Sequence, residues 1–180
     1  MFASLKFIGF FSCLVVITLI FFNFPGTCGI NSIEFRVIYP SDLYIVGKLV
    51  IGKIGPSFNT TQANYLVVTD PLDACDRIKN REAVARRLAF SIRGGCSFVS
   101  KAVNAYISGA TALIVFDYKS DSTETVNMVQ DETLRSVHIP TAFMNGYNGH
   151  QILNAVNRRN LTRALVTFSS EEPSDRFHGI

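Results

Sequence analysis

From residue 33 to residue 168 the chain alternates short apolar runs with turns rich in Gly, Pro, Asp and Asn, and its apolar period switches between two and 3.6. Ile33 to Tyr39 alternates apolar and polar for most of its length, the pattern of a half-buried strand. Pro40-Ser41-Asp42 interrupts it, and Leu43 to Ile51 resumes with β-branched and aromatic residues before Gly52, Gly55 and Pro56. These two runs predict an antiparallel pair. A polar connector, Ser57 to Asn64, leads to a third strand at Tyr65 to Thr69. Leu88 to Ile92 is short and continuously apolar, as a strand buried on both faces is. Gly94 and Gly95 stop it, and Ser97 stands at an N-cap position. From Phe98 to Ser108 a helix is predicted, with Ser97, Ser100, Lys101, Asn104 and Ser108 as one wet stripe and Phe98, Ala102, Ala105 and Tyr106 on the inner side. Gly109 ends the helix, and Thr111 to Phe116 reads as the next buried strand. Strand, Gly-Gly turn, helix and strand predict a right-handed βαβ crossover and a parallel strand pair.

The flanking segments are plainer. Asp70 to Asp76 is turn chemistry, and Arg77 to Arg87 fits a short helix or an ordered loop equally, with its arginines as a solvated face. Asp117 to Asn127 is the longest candidate loop, Met128-Val129-Gln130 starts another ordered piece, and Ile139 to Met144 reads as a strand with an early proline. Asn148 and Gln151 make a capping-box start to a helix through Asn157, with Ile152, Ala155 and Val156 inside. Arg158-Arg159 suits the negative end of that helix. Ala164 to Phe168 forms a last strand, and 169–180 is a polar tail expected to be disordered.

The N-terminus changes the setting. After Lys6, Phe7 to Phe22 holds sixteen residues without a charge, followed by Pro25-Gly26-Thr27-Cys28-Gly29 with small residues at a signal-peptidase spacing. The expectation is a signal peptide over 1–29, cut after Cys28 or Gly29, and a single domain over 30–168 in the secretory pathway; the alternative is an uncleaved anchor. Cys13 and Cys28 would leave with the leader. Cys75 and Cys96 remain, and an even pair in an oxidising compartment reads as a disulfide, with two buried free thiols as the alternative. Sequons at Asn59-Thr60-Thr61 and Asn160-Leu161-Thr162 make a glycoprotein the expectation. No stable membrane insertion is expected after cleavage.

Charge excludes one partner class. The 17 Lys and Arg against 14 Asp and Glu give a net charge of +3, and the cations are scattered, whereas nucleic-acid binding needs them clustered. Catalytic constellations are also missing. His138, His150 and His178 sit in no metal motif, there is no Gly-x-Ser-x-Gly elbow, and Ser97 has no positioned base in the sequence. Asp117, Asp121 and Glu124 do not match calcium-loop spacing. No catalytic residue, metal or cofactor is therefore expected. The Gly-Gly turn entering a helix does offer backbone N–H groups to a peptide carbonyl or carboxylate, with Arg93 as a charge beside them. The plainer reading is that the glycines merely make the connection and that Phe98 is core.

Asp73-Ala74-Cys75, Arg93-Gly94-Gly95-Cys96-Ser97-Phe98, the βαβ run through Ala112 to Phe116, and Ile139-Pro140 together resemble the protease-associated (PA) domain. The resemblance implies a β-rich α/β fold of the swivelling β/β/α type, a mixed sheet with flanking helices and a central βαβ unit. It also implies a non-catalytic module that binds a protein or peptide. In related plant sorting receptors the corresponding turn lies at the cargo peptide, which makes Arg93, Gly94, Gly95, Ser97 and Phe98 candidate ligand-surface residues here. No appended protease, RING or transmembrane domain is expected, so the gating and ubiquitin-ligase roles of larger relatives are not carried over. A structural or regulatory extracellular protein without a peptide ligand, or a hydrolase, are the alternatives.

Overall fold

The computed structural model describes residues 32–58 and 62–169. The expected leader, the Asn59 sequon and the polar tail from 170 onward lie outside the described residues.

Seven strands, β1 (Ser32–Tyr39), β2 (Val46–Ile51), β3 (Asn64–Val68), β4 (Leu88–Ile92), β5 (Ala112–Phe116), β6 (Thr141–Met144) and β7 (Arg163–Ser169), close into a barrel in the order β1-β2-β6-β5-β4-β3-β7. The expected mixed sheet is present. β3, β4, β5 and β6 run parallel, while β1 and β2, β2 and β6, β1 and β7, and β3 and β7 pair antiparallel. The central βαβ unit is there too: β4 and β5 pair in parallel from Leu88 opposite Ala112 to Ile92 opposite Phe116, joined by helix α2 (Phe98–Ile107).

The strand sequences explain where the layers lie. β4 (LAFSI), β5 (ALIVF) and β6 (TAFM) are apolar almost throughout and are buried on both faces. Their inner side chains, Leu88, Phe90, Ile114, Phe116 and Met144, meet Phe35, Leu49 and Val166 from the antiparallel strands inside the barrel. Their outer side chains, Ala89, Leu113, Val115 and Phe143, meet Val99, Ala102 and Ala105 of α2. β1 and β7 alternate instead, because only their inner faces are covered. Helix α3 (Gly146–Arg158) closes the barrel end at which the parallel strands finish, sending Ile152 and Val156 into the inner core. Gly149 permits this approach, since a Cβ there would lie 2.4 Å from Phe116.

Two local expectations need correction. The polar side of α2 is not wet: Lys101 is wholly buried and Ser108 nearly so, whereas Tyr106 and the adjacent Ile107 are exposed at 48% and 66%. The helix lies between the barrel wall and the 73–78 segment, so two of its sides are covered. The cap of α3 is Asn145 rather than Asn148; its side chain accepts from the Asn148 backbone N–H at 2.9 Å. The helix starts directly after β6, and the earlier asparagine reaches the free amide first. The 77–87 segment, for which a short helix and an ordered loop fitted equally, holds both: one turn of helix, α1 (Arg81–Val84), within an otherwise irregular loop.

Candidate functional site

The Arg93 to Phe98 segment leaves the C-terminal end of β4 beside the ends of β5 and β6, the edge of an α/β sheet where ligand sites commonly form. Gly94 and Gly95 take φ values of +108° and +79°, a region costly to other residues. Both glycines are exposed. A Cβ on Gly94 would meet nothing within 4 Å, whereas one on Gly95 would lie 2.9 Å from Cys75 Sγ and 3.0 Å from Asp73 Oδ2. One face of the turn is therefore open and the other is packed.

The packed face is a clamp. Cys75 and Cys96 stand as a disulfide with their Cα atoms 5.7 Å apart. Lys101 Nζ donates to Gly94 O at 2.6 Å, to Asp73 O at 2.5 Å and to Cys75 Sγ at 3.4 Å. Asn104 Nδ2 donates to Ala74 O and Cys75 O, each at 2.9 Å. Burial holds the Lys101 pKa below the ordinary lysine value, and the Asp73 charge opposes that shift.

On the open side, Arg93 donates its backbone N–H to Phe116 O at 2.8 Å, and its Nη1 lies 3.4 Å from Oδ1 of the buried Asp117. The same carboxylate oxygen accepts from the Tyr118 backbone N–H at 2.9 Å. The Arg93 guanidinium stands 5.9 Å from the centroid of the half-exposed Tyr118 ring, and Lys119 Nζ is at the same distance. An aromatic ring with two cations about it thus stands beside Arg93.

The other sequence-derived candidates have local tasks. Ser97 Oγ caps α2 by accepting from Ser100 N at 3.1 Å, and its hydroxyl donates to Asp131 Oδ2 at 2.5 Å. Phe98 is half-buried and meets Phe143 edge to face, with centroids 6.3 Å apart. Asp131 also accepts from Thr133 and from Arg135 Nη2, the latter at 3.0 Å. The Ser97 bond first, then those of Thr133 and the Arg135 charge, lower the Asp131 pKa to about 2. Asn160 is exposed in the turn between α3 and β7. His150 Nε2 lies 3.1 Å from Tyr118 O, while His138 meets Tyr106 in a tilted ring contact with centroids 5.1 Å apart. His178 lies outside the described residues.

Comparison with known proteins decides the family. The PA-domain family model matches residues 59–152. The PRADC1-like protein of Drosophila melanogaster is 32% identical over 141 residues, spanning 76% of this chain and 72% of that protein. The chain belongs to the PA-domain family. Signal peptide peptidase-like 3 of Arabidopsis thaliana is 34% identical over 105 residues, covering 58% of this chain and 19% of that protein. Among solved structures, an aminopeptidase from Aneurinibacillus sp. strain AM-1 superposes with a TM-score of 0.52 at 17% identity, over 76% of this chain and 30% of that one. That likeness concerns the fold. Against the plant protein and the aminopeptidase this PA domain spans less than a third of the partner's length.

The residues that shape the turn of this PA domain were only partly visible in the sequence. Gly94 and Gly95 are exposed and the adjacent Arg93 is half-buried against Asp117, whereas Ser97 and Phe98 are engaged within the fold. The helical period puts Lys101 and Asn104 on the solvent side, and nothing in the sequence assigns Asp117, Tyr118 or Asp131 to the turn. One signal for Lys101 and Asn104 was present. They share the helix side of Ser97 and Ser100, directly after Cys96, and any partner tied to Cys96 must dock near that side.

Proposed function

We propose that this protein is a non-catalytic module of the secretory pathway that binds an extended peptide or protein segment across the Arg93-Gly94-Gly95 turn. The observation that carries the reading is the turn itself. Its backbone is open above Gly94, and the Lys101 and Asn104 bonds with the disulfide hold it from beneath. Preorganisation of this kind lowers the entropy lost on binding. Arg93 and the Tyr118 ring supply a charge and an aromatic face to a passing chain. The uncharged N-terminal run, the paired Cys75 and Cys96, and the exposed Asn160 all fit passage through an oxidising, glycosylating compartment. Among the described residues no helix is long and apolar enough to cross a membrane.

The test is a peptide-library screen on protein recovered from the medium of secreting cells, with the mature N-terminus read by mass spectrometry. Arg93→Ala is expected to weaken specific binding by about tenfold or more, the usual loss for a charged anchor at an interface. Ser97→Ala is a poor control because it removes the α2 cap. Specific binding that survives Arg93→Ala and Tyr118→Ala places the ligand elsewhere, and hydrolysis of a bound peptide overturns the non-catalytic reading.

A further inference from the structure

Lys101 is a buried cation whose hydrogen bonds support the proposed binding turn but whose charge that role does not use. Its three acceptors are two carbonyl oxygens and a disulfide sulfur, none of them an anion. The Asp73 carboxylate acts on the ammonium through its charge without a hydrogen bond to it, and its Oδ1 accepts from the Cys75 backbone N–H at 3.1 Å. A buried ammonium is stable next to an anion and costly without one. Breaking the disulfide would place an anion at Cys75 Sγ, 3.4 Å from the ammonium.

We infer that Cys75–Cys96 is a thiol–disulfide exchange site for an external thiol, with Cys96 as the attacked sulfur and Cys75 as the leaving thiolate held by Lys101. The asymmetry rests on the neighbours of each sulfur. Cys75 Sγ has the ammonium. Gly94 O at 3.6 Å and Asp73 O at 3.7 Å also lie against it, but both are bonded to that ammonium. Cys96 immediately precedes the α2 cap, where the helix end alone would favour a thiolate. The Asp131 carboxylate, bound to Ser97 Oγ, offsets that end. A better leaving thiol departs faster, so attack is directed to Cys96. The exposed Gly94-Gly95 turn beside it leaves a path for the incoming thiolate.

The chemistry closes with a dithiol as reductant. Its thiolate adds to Cys96 Sγ, the Sγ–Sγ bond breaks, and the electron pair goes to Cys75 Sγ. A mixed disulfide on Cys96 and a Cys75 thiolate paired with Lys101 result. The second thiolate of the reagent attacks the reagent sulfur of the mixed disulfide and leaves as a cyclic disulfide. Cys96 is released and takes up a proton, and two electrons have passed from dithiol to protein. The turn stays docked, because the bonds from Lys101 to Asp73 O and Gly94 O and from Asn104 to Ala74 O and Cys75 O involve no sulfur. Reduction stabilised by a positive neighbour makes a disulfide more oxidising than a purely structural one.

The test uses the full chain, equilibrated over graded ratios of reduced to oxidised dithiothreitol, alkylated, and read at the Cys75 and Cys96 peptides by mass spectrometry. Lys101→Met is expected to need a ratio about tenfold higher for half-reduction, the equivalent of one pKa unit in the Cys75 thiol. An unchanged midpoint overturns the inference. So does a wild-type disulfide that is reduced only together with loss of the near-ultraviolet circular dichroism. Should Lys101→Met fail to fold, brief exposure of the wild-type protein to reduced glutathione decides. Glutathione is expected on Cys96, and glutathione found on Cys75 overturns the assignment.

Discussion

Ser91 is wholly buried in β4, and its hydroxyl is the buried side-chain polar atom without a hydrogen-bond partner among the described residues. Thr69 and Thr141, buried in the same way, show the usual solution: Thr69 Oγ1 donates to Leu72 O at 3.1 Å and Thr141 Oγ1 to Ile54 O at 2.9 Å. A desolvated hydroxyl with no partner costs about 1–3 kcal/mol, and replacing it with a methyl removes that cost while leaving the backbone pairing intact. Ser91→Ala is therefore expected to stabilise the fold by about 1 kcal/mol, which for a domain of this size raises Tm by about 3 °C. Thermal unfolding by circular dichroism checks it, and a lowered Tm would show that Ser91 has a partner, such as an enclosed water, that the hydroxyl needs. The position matters for the turn because Ser91 precedes Arg93 by two residues in the strand that delivers it.

At the level of elements, the stretch from Met128 to His138 has no regular structure, yet a small polar network centred on one carboxylate ties it to the start of α2. Asp131 binds Ser97 and Arg135, and Arg135 Nη2 also donates to Ser100 Oγ at 2.9 Å. The Asp131 pKa falls from an ordinary 3.8 to about 2 in the folded protein, so the undocked form binds its proton first on acidification. The stabilisation is complete above pH 4 and is lost as pH falls through about 2. Amide exchange at Thr133 and Ser100 is expected to stay slow from neutral pH down to about 4 and to accelerate below that relative to barrel amides; Asp131→Asn is expected to loosen both at neutral pH. Protection in the Asn variant equal to wild type would sink this role. This docking could not be read from the sequence, because Asp131 and Ser97 are 34 residues apart and neither belongs to a spaced motif. What could be read was local: the strands, the βαβ unit and the cap at Ser97 all follow from runs, turns and periods. The α2 faces were misread because periodicity separates polar from apolar sides but does not say whether a polar side meets water or another loop. Asn145 and Asn148 cannot be told apart as caps on the same ground, since two residues of one type, three apart, are equal by propensity.

In the molecule as a whole, one barrel wall carries two cores. Strand patterns marked the two halves of that wall in the sequence, continuous for the parallel strands and alternating for β1 and β7, but nothing in them marked closure. A face can be read from alternation, whereas a strand's neighbour depends on contacts between distant segments. The exposed turn at Arg93 grows from the parallel half, where both faces of the wall are packed, and this gives it a rigid base. Outward positions in the two halves should then respond differently to the same change. Val115 points outward from β5 into the layer under α2 and is wholly buried, while Ile38 points outward from β1 and is 42% exposed. Val115→Ala is expected to cost about 2 kcal/mol through lost burial and an unfilled cavity, and Ile38→Ala about 0.5 kcal/mol, as at other surface sites. Urea unfolding midpoints at equal m-values measure the difference. Equal losses would mean that β1 is covered in solution by something that leaves its outer face dry. A loss at Val115 accompanied by weaker peptide binding, with Ile38→Ala binding normally, would tie the outer core to the support of the turn.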